Sequence, residues 1–165
     1  MKTELKRSEI SAVGCSFAIV VARWNDEFTS KLADGAMEAL LGAGAKREDI
    51  DIFYVPGAFE LPVASLSAAK SGEYDAVIAL GVVIRGDTPH FDYVAGQAAA
   101  GLMEASMQTG VPVMFGVITA DKVQQVVERT GEGEDNKGFE AAISAIETAS
   151  TLGEITRKAE SRRSK

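Results

Sequence analysis

The sequence predicts an open three-layer α/β sandwich, in which a sheet of four parallel strands is covered by helices on both faces. Four short runs rich in Val, Ile, Phe and Ala are continuous rather than alternating, as expected for strands buried on both faces. Segments with helical spacing separate these runs, and repeated strand–helix order implies parallel pairing through right-handed crossovers. No internal repeat or linker divides the 165 residues, so we expect a single domain, 1–165.

The first half of the chain alternates strand, helix, strand and helix. The run SFAIVVA predicts a strand at 16–22, and the helix after it begins at the N-capping residue Asn25 and stops at Gly42. Apolar residues recur within this helix at the spacing of one buried stripe. The run IDIFYV predicts a second strand at 50–55, and helical spacing predicts a second helix that follows Pro56-Gly57 and runs to about Ser71-Gly72.

The second half repeats this order and ends in two consecutive helices. The runs AVIALGVVI and VPVMFGVIT predict strands at 76–84 and 111–119. Apolar residues that recur every three or four positions predict a helix between them, at about 92–109. A short helix is predicted at about 121–130 and a longer one at about 138–152.

The two ends of the chain are predicted to lie outside the packed sandwich. The N-terminal arm, 1–13, is long enough to add as a strand to a neighbour's sheet, because four strands leave two open edges that invite pairing. The C-terminal tail, 153–165, ends in the basic run RKAESRRSK. It is predicted to be frayed and solvated, without a function of its own.

Charge, cysteine content and hydropathy exclude several classes of protein. Seventeen basic and 24 acidic residues give a net charge of −7, which should repel a polyanion, so nucleic acid is not an expected partner. The single cysteine, Cys15, cannot form an internal disulfide, which fits a reducing compartment. No segment approaches the roughly 20 apolar residues that span a bilayer. We therefore expect a soluble, cytoplasmic protein without a membrane partner.

Chemically rich segments follow the first three predicted strands, where ligands of open α/β sheets bind. Trp24 follows the first strand; its ring either covers the core or forms a stacking surface for a planar ligand. Glu60 comes shortly after the second strand. Its carboxylate either complements a helix N-terminus or accepts hydrogen bonds from a hydroxylated ligand.

The stretch RGDTPH, 85–90, follows the third strand and predicts a phosphate pocket. Gly86 would allow a sharp turn and a close approach to a ligand, and the amides of Asp87 and Thr88 would face outward near a helix N-terminus. His90 is the only histidine; with an unperturbed pKa near ~6.5, an imidazole there can transfer protons near neutral pH. The alternative is that His90 is a surface or cap residue.

Two cations further along the chain are also candidates. Arg129 lies at the end of the fourth helix, where the helix dipole alone explains a positive side chain. Lys137 begins the last helix, where a positive charge is mildly unfavourable. Either a ligand or an acidic neighbour, Glu134 or Asp135, therefore explains it.

Five motifs, in this order and with these separations, carry a family resemblance: VPGAFELP, GVVIRGDTPHFDYV, VPVMFGVIT, VVERTG and NKGFEAAISAIE. Across residues 13–150 the chain resembles the lumazine synthases of riboflavin biosynthesis. The resemblance implies a flavodoxin-like sheet and a transferase that needs no metal and no cofactor. The implied reaction condenses 5-amino-6-(D-ribitylamino)uracil with 3,4-dihydroxy-2-butanone 4-phosphate to 6,7-dimethyl-8-ribityllumazine, releasing phosphate and water.

The resemblance also implies a role for each matching residue. His90 would be the acid–base catalyst. The residues implied to bind the aminouracil substrate are Trp24, Ala58, Phe59, Glu60, Val82, Val83, Ile84, Phe115 and Lys137. The residues implied to bind phosphate are Asp87, Thr88 and Arg129. Phe115, Arg129 and Lys137 resemble residues that an adjacent subunit supplies.

The same resemblance implies a homopentamer with one site at each subunit interface. Some family members assemble twelve pentamers into an icosahedral shell of 60 subunits. The linker GEGED before the last helix is short and carries no insertion, which favours a shell. Riboflavin synthase is a candidate partner.

Two other functions fit the same layout. A flavodoxin-like electron carrier would also use a phosphate pocket and an aromatic surface, to hold FMN; a bound yellow, redox-active chromophore would distinguish it. A shell or scaffold protein without activity would form particles but no lumazine. A phosphorylation receiver domain is disfavoured, because the acidic pair after the first strand and the Asp at the end of the third are missing.

Overall fold

The computed structural model describes residues 10–164 and contains a four-stranded, all-parallel sheet in the order β2-β1-β3-β4. The strands are β1 (Phe17–Ala22), β2 (Ile50–Val55), β3 (Ala76–Ile84) and β4 (Val113–Ala120). The α-helices are α1 (Asp26–Gly42), α2 (Leu61–Lys70), α3 (His90–Thr109), α4 (Val123–Val127) and α5 (Lys137–Arg163). Short 3₁₀ turns lie at Arg47–Asp49, Ala58–Glu60 and Gly133–Asp135. The predicted three-layer, flavodoxin-like α/β sandwich is confirmed.

The sheet separates two buried clusters because successive side chains of a strand point to opposite faces. Helices α1 and α5 cover one face, and α2 and α3 cover the other. Buried residues of the first face include Phe17, Ile19, Leu32, Ile78 and Ile146. Buried residues of the second face include Ala18, Val20, Leu61, Val77 and Leu102. The central strands β1 and β3 are covered on both sides, which is why their sequences are continuously apolar.

The predicted strand positions agree with the structure within two residues, whereas some helix boundaries differ. The second helix begins as a 3₁₀ turn, and regular α-helix starts only at Leu61. The fourth helix is limited to Val123–Val127. None of the helices in the described residues is long and apolar enough to cross a membrane.

The largest difference concerns the C-terminal tail, which was expected to be frayed. Instead α5 continues as an exposed helix to Arg163. An ion pair between Lys158 and Glu154, one turn apart, supports this extension, and Arg162 and Arg163 complement the dipole of its last turn. The prediction that the helix ends near 152 is wrong.

The predicted N-terminal arm lies largely outside the described residues. Its last part returns to the chain's own core, because Ala12 is fully buried and its N–H donates to the carbonyl oxygen of Ala43, 2.9 Å away. The rest of the expected added strand falls on residues 1–9.

Candidate active site

Hydrogen bonds draw the segments after the strands together at the carboxyl edge of the sheet. Beyond β1, the N–H groups of Arg23 and Trp24 donate to the carbonyl oxygens of Val55 and Pro56, at 2.8 and 3.0 Å. The Nδ2 of Asn25 donates to the carbonyl oxygen of Val82, 3.0 Å away on β3. These bonds place the segments carrying most of the predicted site residues side by side.

The ring of Trp24 lies on the backbone of Gly57 rather than in the core. A β-carbon added at Gly57 would overlap the indole, so only glycine permits this contact. The Trp24 side chain nevertheless remains largely exposed, with 64% of its area accessible. The next residue, Asn25, adopts the left-handed backbone conformation, with φ 62°, which asparagine tolerates better than most residues. Of the two predicted roles for Trp24, the geometry favours a stacking surface over a core cover.

The Ala58–Glu60 turn faces the same edge. Ala58 is buried and Phe59 is exposed. The Oε2 of Glu60 accepts a hydrogen bond from the Gly57 N–H at 2.8 Å, so the carboxylate complements the start of the helical segment, as one of its two predicted roles requires. Among the described residues Oε1 has no hydrogen-bond partner, which leaves it available to a ligand.

The end of β3 exposes one edge of its backbone. β3 pairs with β1 only as far as Leu80, whereas it pairs with β4 through Ile84. The stretch 82–84 therefore runs past the end of β1. Val82 is buried and Val83 and Ile84 are half-buried, and Asn25 already occupies the carbonyl of Val82. The remaining backbone groups of this stretch suit a ligand placed beyond β1.

The loop 86–89 presents unpaired donors next to His90. Within residues 10–164, the N–H groups of Gly86, Asp87 and Thr88 donate to no acceptor, and all three residues are exposed. Helix α3 begins at His90 after Pro89, which has no N–H and provides no side-chain cap. An uncapped helix N-terminus beside free amides is a suitable site for an anion.

Of the two reasons predicted for Gly86, the backbone does not require the first, a sharp turn, and the second, a close approach to a ligand, stays a prediction. Its backbone is not in the left-handed region, so no sharp turn requires glycine there. A β-carbon at Gly86 would meet no atom within 4 Å. A larger residue at position 86 would place its side chain in open space next to the unpaired N–H groups of residues 86–88.

Phe115 lies on β4 and Lys137 at the start of α5, whereas Arg129 lines an open depression of about 290 Å³ with Arg85, Phe91 and Asp121, beside the start of α3. Phe115 is half-exposed in the middle of the edge strand β4, paired with Ala79, five residues or ~16 Å before the end of the strand. Within the described chain no hydrogen bond or ion pair joins any of the three to Trp24 or Thr88.

Arg129 and Lys137 line one open depression of about 330 Å³, which is formed by residues that follow α4. The Nη1 of Arg129 donates to the carbonyl oxygen of Gln125 in the last turn of α4, at 2.8 Å, as the dipole explanation predicts. The Nζ of Lys137 donates to Oε1 of Glu140 at 2.8 Å. The acidic neighbour of Lys137 is therefore Glu140, and the prediction that Glu134 or Asp135 plays this part is wrong.

Asn136 fixes the backbone next to Lys137. Its Oδ1 accepts from the N–H groups of Gly138 and Phe139, at 2.8 and 3.2 Å, and so caps α5. Its Nδ2 donates to the carbonyl oxygens of Lys31 on α1 and Gly131, at 2.9 and 3.0 Å. The start of α5 is thereby tied to α1.

The sequence model of the 6,7-dimethyl-8-ribityllumazine synthase family matches residues 14–153 of the 165-residue chain. The chain belongs to this family. The lumazine synthase family consists of enzymes of the transferase class that act in riboflavin biosynthesis. The match covers all four strands and the site segments described above.

Arg85 lies in the predicted stretch 85–90 but was given no role of its own, and its side chain donates three hydrogen bonds beside the candidate site. Arg85 is held by Asp92 and Asp121, and its guanidinium carbon lies 4.1 Å from the ring centroid of Phe91. The hydrogen bonds that Arg85 donates, first to Asp92 and then to Asp121, raise the pKa of Arg85 above its ordinary value. Arg85 follows β3 and Asp121 follows β4, so pairing of these two strands could have predicted their contact.

Proposed function

We propose that this chain condenses 5-amino-6-(D-ribitylamino)uracil with 3,4-dihydroxy-2-butanone 4-phosphate to form 6,7-dimethyl-8-ribityllumazine, phosphate and water. The observation that carries the proposal is the set of unpaired amides at 86–88 beside His90, in a chain of the lumazine synthase family. The exposed Trp24 ring on the same edge of the sheet provides a surface for the heterocycle.

In the proposed site, the two substrates occupy different parts of one crevice. The phosphate accepts hydrogen bonds from the amides of Asp87 and Thr88 at the start of α3. The uracil ring stacks on Trp24. The ribityl hydroxyls donate to the free Oε1 of Glu60, while Ala58 and Phe59 pack beside the chain. The backbone of 82–84 then borders the ring.

The reaction moves several protons around a dianionic group. The ring-bound primary amine attacks the ketone, the carbinolamine loses water, and phosphate leaves by elimination to give an enol. The enol tautomerises to a ketone, and the ribitylamino nitrogen attacks it and closes the ring with loss of a second water. His90 lies beside the amides of Asp87 and Thr88 that bind the phosphate, and it acts as the acid–base group for proton transfers near the leaving group. Holding both reactants in one crevice contributes up to ~7 to 11 kcal/mol to lowering the barrier in favourable systems.

A second copy of the chain completes this site in the proposal. Phe115 lies on the edge strand β4, and Arg129 and Lys137 line the depression formed by residues that follow α4. We assign all three to the site of the adjacent subunit, with Arg129 gripping phosphate. Exposed Phe53 and Tyr54 on β2 and Phe115 on β4 are apolar surface that assembly would cover.

The proposed assembly is a homopentamer, with the 60-subunit shell as its larger form and riboflavin synthase as a candidate partner in the cytoplasm. Sedimentation of the 17.4 kDa chain tests the assembly directly. Particles of five or sixty subunits support it. An active monomer would contradict the sharing of the site.

The function is tested by mixing purified protein with both substrates and following lumazine fluorescence. Reactions that lack one substrate, and reactions that lack protein, are the controls for the uncatalysed condensation. Lumazine formation that requires both substrates and the protein supports the proposal. Intact particles that form no lumazine would support the scaffold alternative, and a bound, reducible yellow chromophore would support the flavin carrier.

A further inference from the structure

Arg85 joins three elements around the loop 86–89. Its Nε donates to Oδ1 of Asp121, the residue after β4, at 2.7 Å. Its two terminal nitrogens donate to the two carboxylate oxygens of Asp92 in the first turn of α3, at 3.1 and 3.3 Å. The ring of Phe91 stacks against the same guanidinium. The guanidinium thus holds α3 to the end of β4.

The contacts of Arg85 distinguish it from a phosphate ligand. Each of its three guanidinium nitrogens already donates to a carboxylate, and two negative charges surround its one positive charge. Two of its five N–H groups remain unused, but the two carboxylates already outweigh its single positive charge, which disfavours a further anion. The geometry therefore suits a residue that acts through others.

The loop depends on this contact because few other bonds fix it. At one end, the Arg85 N–H donates to the carbonyl oxygen of Ala120 at 2.8 Å. At the other end, the Asp92 N–H donates to the carbonyl oxygen of Pro89 at 3.0 Å, and the His90 N–H reaches Thr88 Oγ1 only at 3.5 Å. No hydrogen bond of the described chain holds the amides of the loop between these points.

We propose that Arg85 is a positioning residue, whose pairing with Asp92 and Asp121 sets the spacing between β4 and α3 and thereby orients the anion-binding amides of loop 86–89. The inference rests on the proposed function for the identity of the anion, a phosphate monoester. In this proposal Arg85 touches neither substrate but controls how the phosphate group of the substrate is bound.

Two substitutions at Arg85 separate geometry from charge. Arg85→Lys keeps the charge and loses the planar two-pronged contact, whereas Arg85→Gln loses both. A well-aligned hydrogen bond to a charged group is worth about 10- to 100-fold in affinity, so both variants should weaken binding of inorganic phosphate, measured by titration calorimetry, by about that factor. Lysine should rescue little of this loss. A lysine variant that binds phosphate like the unsubstituted protein would overturn the proposal.

Asp121→Asn tests the same point from the other side. The neutral amide weakens the charge-assisted bond from Nε of Arg85 and leaves the guanidinium charged. Removing a carboxylate near an anion site by itself favours anion binding, so weaker phosphate binding in this variant can only come from lost positioning and would support the proposal. Unchanged or stronger binding would show that Arg85 contacts the phosphate directly or has no part, and would overturn it.

A change in KM for one substrate and not for the other would exclude a general loss of structure as the cause. In the Arg85 variants KM should rise for the phosphate-bearing substrate and stay near its original value for the aminouracil, with thermal unfolding followed in parallel. Arg47→Lys is the matched control, since Arg47 donates to the carbonyl oxygen of Ile50 at the amino end of β2. Equal rises in both KM values would overturn the positioning role.

The phosphate titration keeps this inference separate from the proposed function. If the protein binds phosphate but forms no lumazine, the function fails and the Arg85 variants still decide the inference. If the unsubstituted protein binds no phosphate, the inference itself is overturned.

Discussion

The indole of Trp24 rests on the α-carbon of Gly57, in a contact that leaves no room for a methyl group at position 57. The contact joins the segment after β1 to the segment after β2, next to the hydrogen bond from the Trp24 N–H to Pro56. It fixes one face of the ring against the backbone and leaves the side chain largely exposed. The orientation of the proposed stacking surface is therefore set by a residue that carries no side chain.

Gly57→Ala should displace the Trp24 ring. Overpacking of this kind costs about 1–3 kcal/mol of unfolding free energy, measured by urea denaturation. Losing ~1 kcal/mol of stacking should also raise KM for the aminouracil about fivefold. Gly42→Ala is the control, because a β-carbon there meets nothing within 4 Å and its backbone is not left-handed. Wild-type KM in Gly57→Ala would argue that the ring does not stack on substrate.

His90→Ala should slow turnover without abolishing it. Positioned acid–base catalysis contributes about 10²- to 10⁴-fold, while the crevice still brings both reactants together. Lumazine formation under saturating substrates measures the effect. His90→Gln, which keeps a polar side chain at the start of α3, controls for loss of helix packing. Complete loss of activity with both substrates still bound would contradict a mechanism based mainly on proximity.

Asn136→Ala should be strongly destabilising. Asn136 is 2% exposed and makes four hydrogen bonds that cap α5 and tie it to Lys31 on α1 and to Gly131. Loss of the cap and of these buried bonds should lower the unfolding free energy by about 2 kcal/mol or more. Thr156→Ala, on the exposed part of α5, should change it little. Equal midpoints of urea unfolding for the two variants would refute the anchoring role.

The stability of the fold should decline at strongly alkaline pH through Tyr74. The hydroxyl of Tyr74 donates to Oδ2 of Asp51 at 2.8 Å, and burial followed by this bond raises the pKa of Tyr74 from 10.0 to about 12. Because the folded pKa lies above the unfolded value, this contribution is complete below pH 10.0 and is lost as pH rises towards about 12.

Tyr74→Phe isolates that contribution. The difference in unfolding free energy between the unsubstituted protein and Tyr74→Phe should be constant up to about pH 9 and shrink above the ordinary tyrosine pKa. Tyr54→Phe on the exposed face of β2 is the control, since its hydroxyl has no hydrogen-bond partner in the part of the chain that the structure describes. A difference that grows with pH would show that the sign of the linkage is wrong.

The sequence predicted the strands well because burial on both faces leaves a continuous apolar signal. β1 and β3, the central strands, show this most clearly. The extended end of α5 was missed because it has no buried stripe and is supported by contacts such as Glu154–Lys158. The 3₁₀ turn at Ala58–Glu60 was missed because only short-range hydrogen bonds, such as those in both directions between Gly57 and Glu60, shape it.

The candidate site was predicted in part for similar reasons. Residues that follow strand ends, such as Trp24 and Thr88, are recognisable because parallel strands end at one edge. The role of Arg85 depends on Asp121, which becomes its neighbour only when β4 pairs with β3, and on Asp92, which the first turn of α3 brings back to it. The partner of Lys137 was misassigned because residues on both sides of it are acidic and only the α5 geometry selects Glu140.

A crystal structure of the assembled protein with a bisubstrate mimic, a ribitylaminouracil joined to a phosphate by a short alkyl chain, tests the central claim most directly. The account predicts phosphate on the amides of Asp87 and Thr88, the pyrimidine on Trp24, and Arg129 of a second copy on the phosphate. A mimic bound with its phosphate away from loop 86–89, or within a single copy alone, would contradict it.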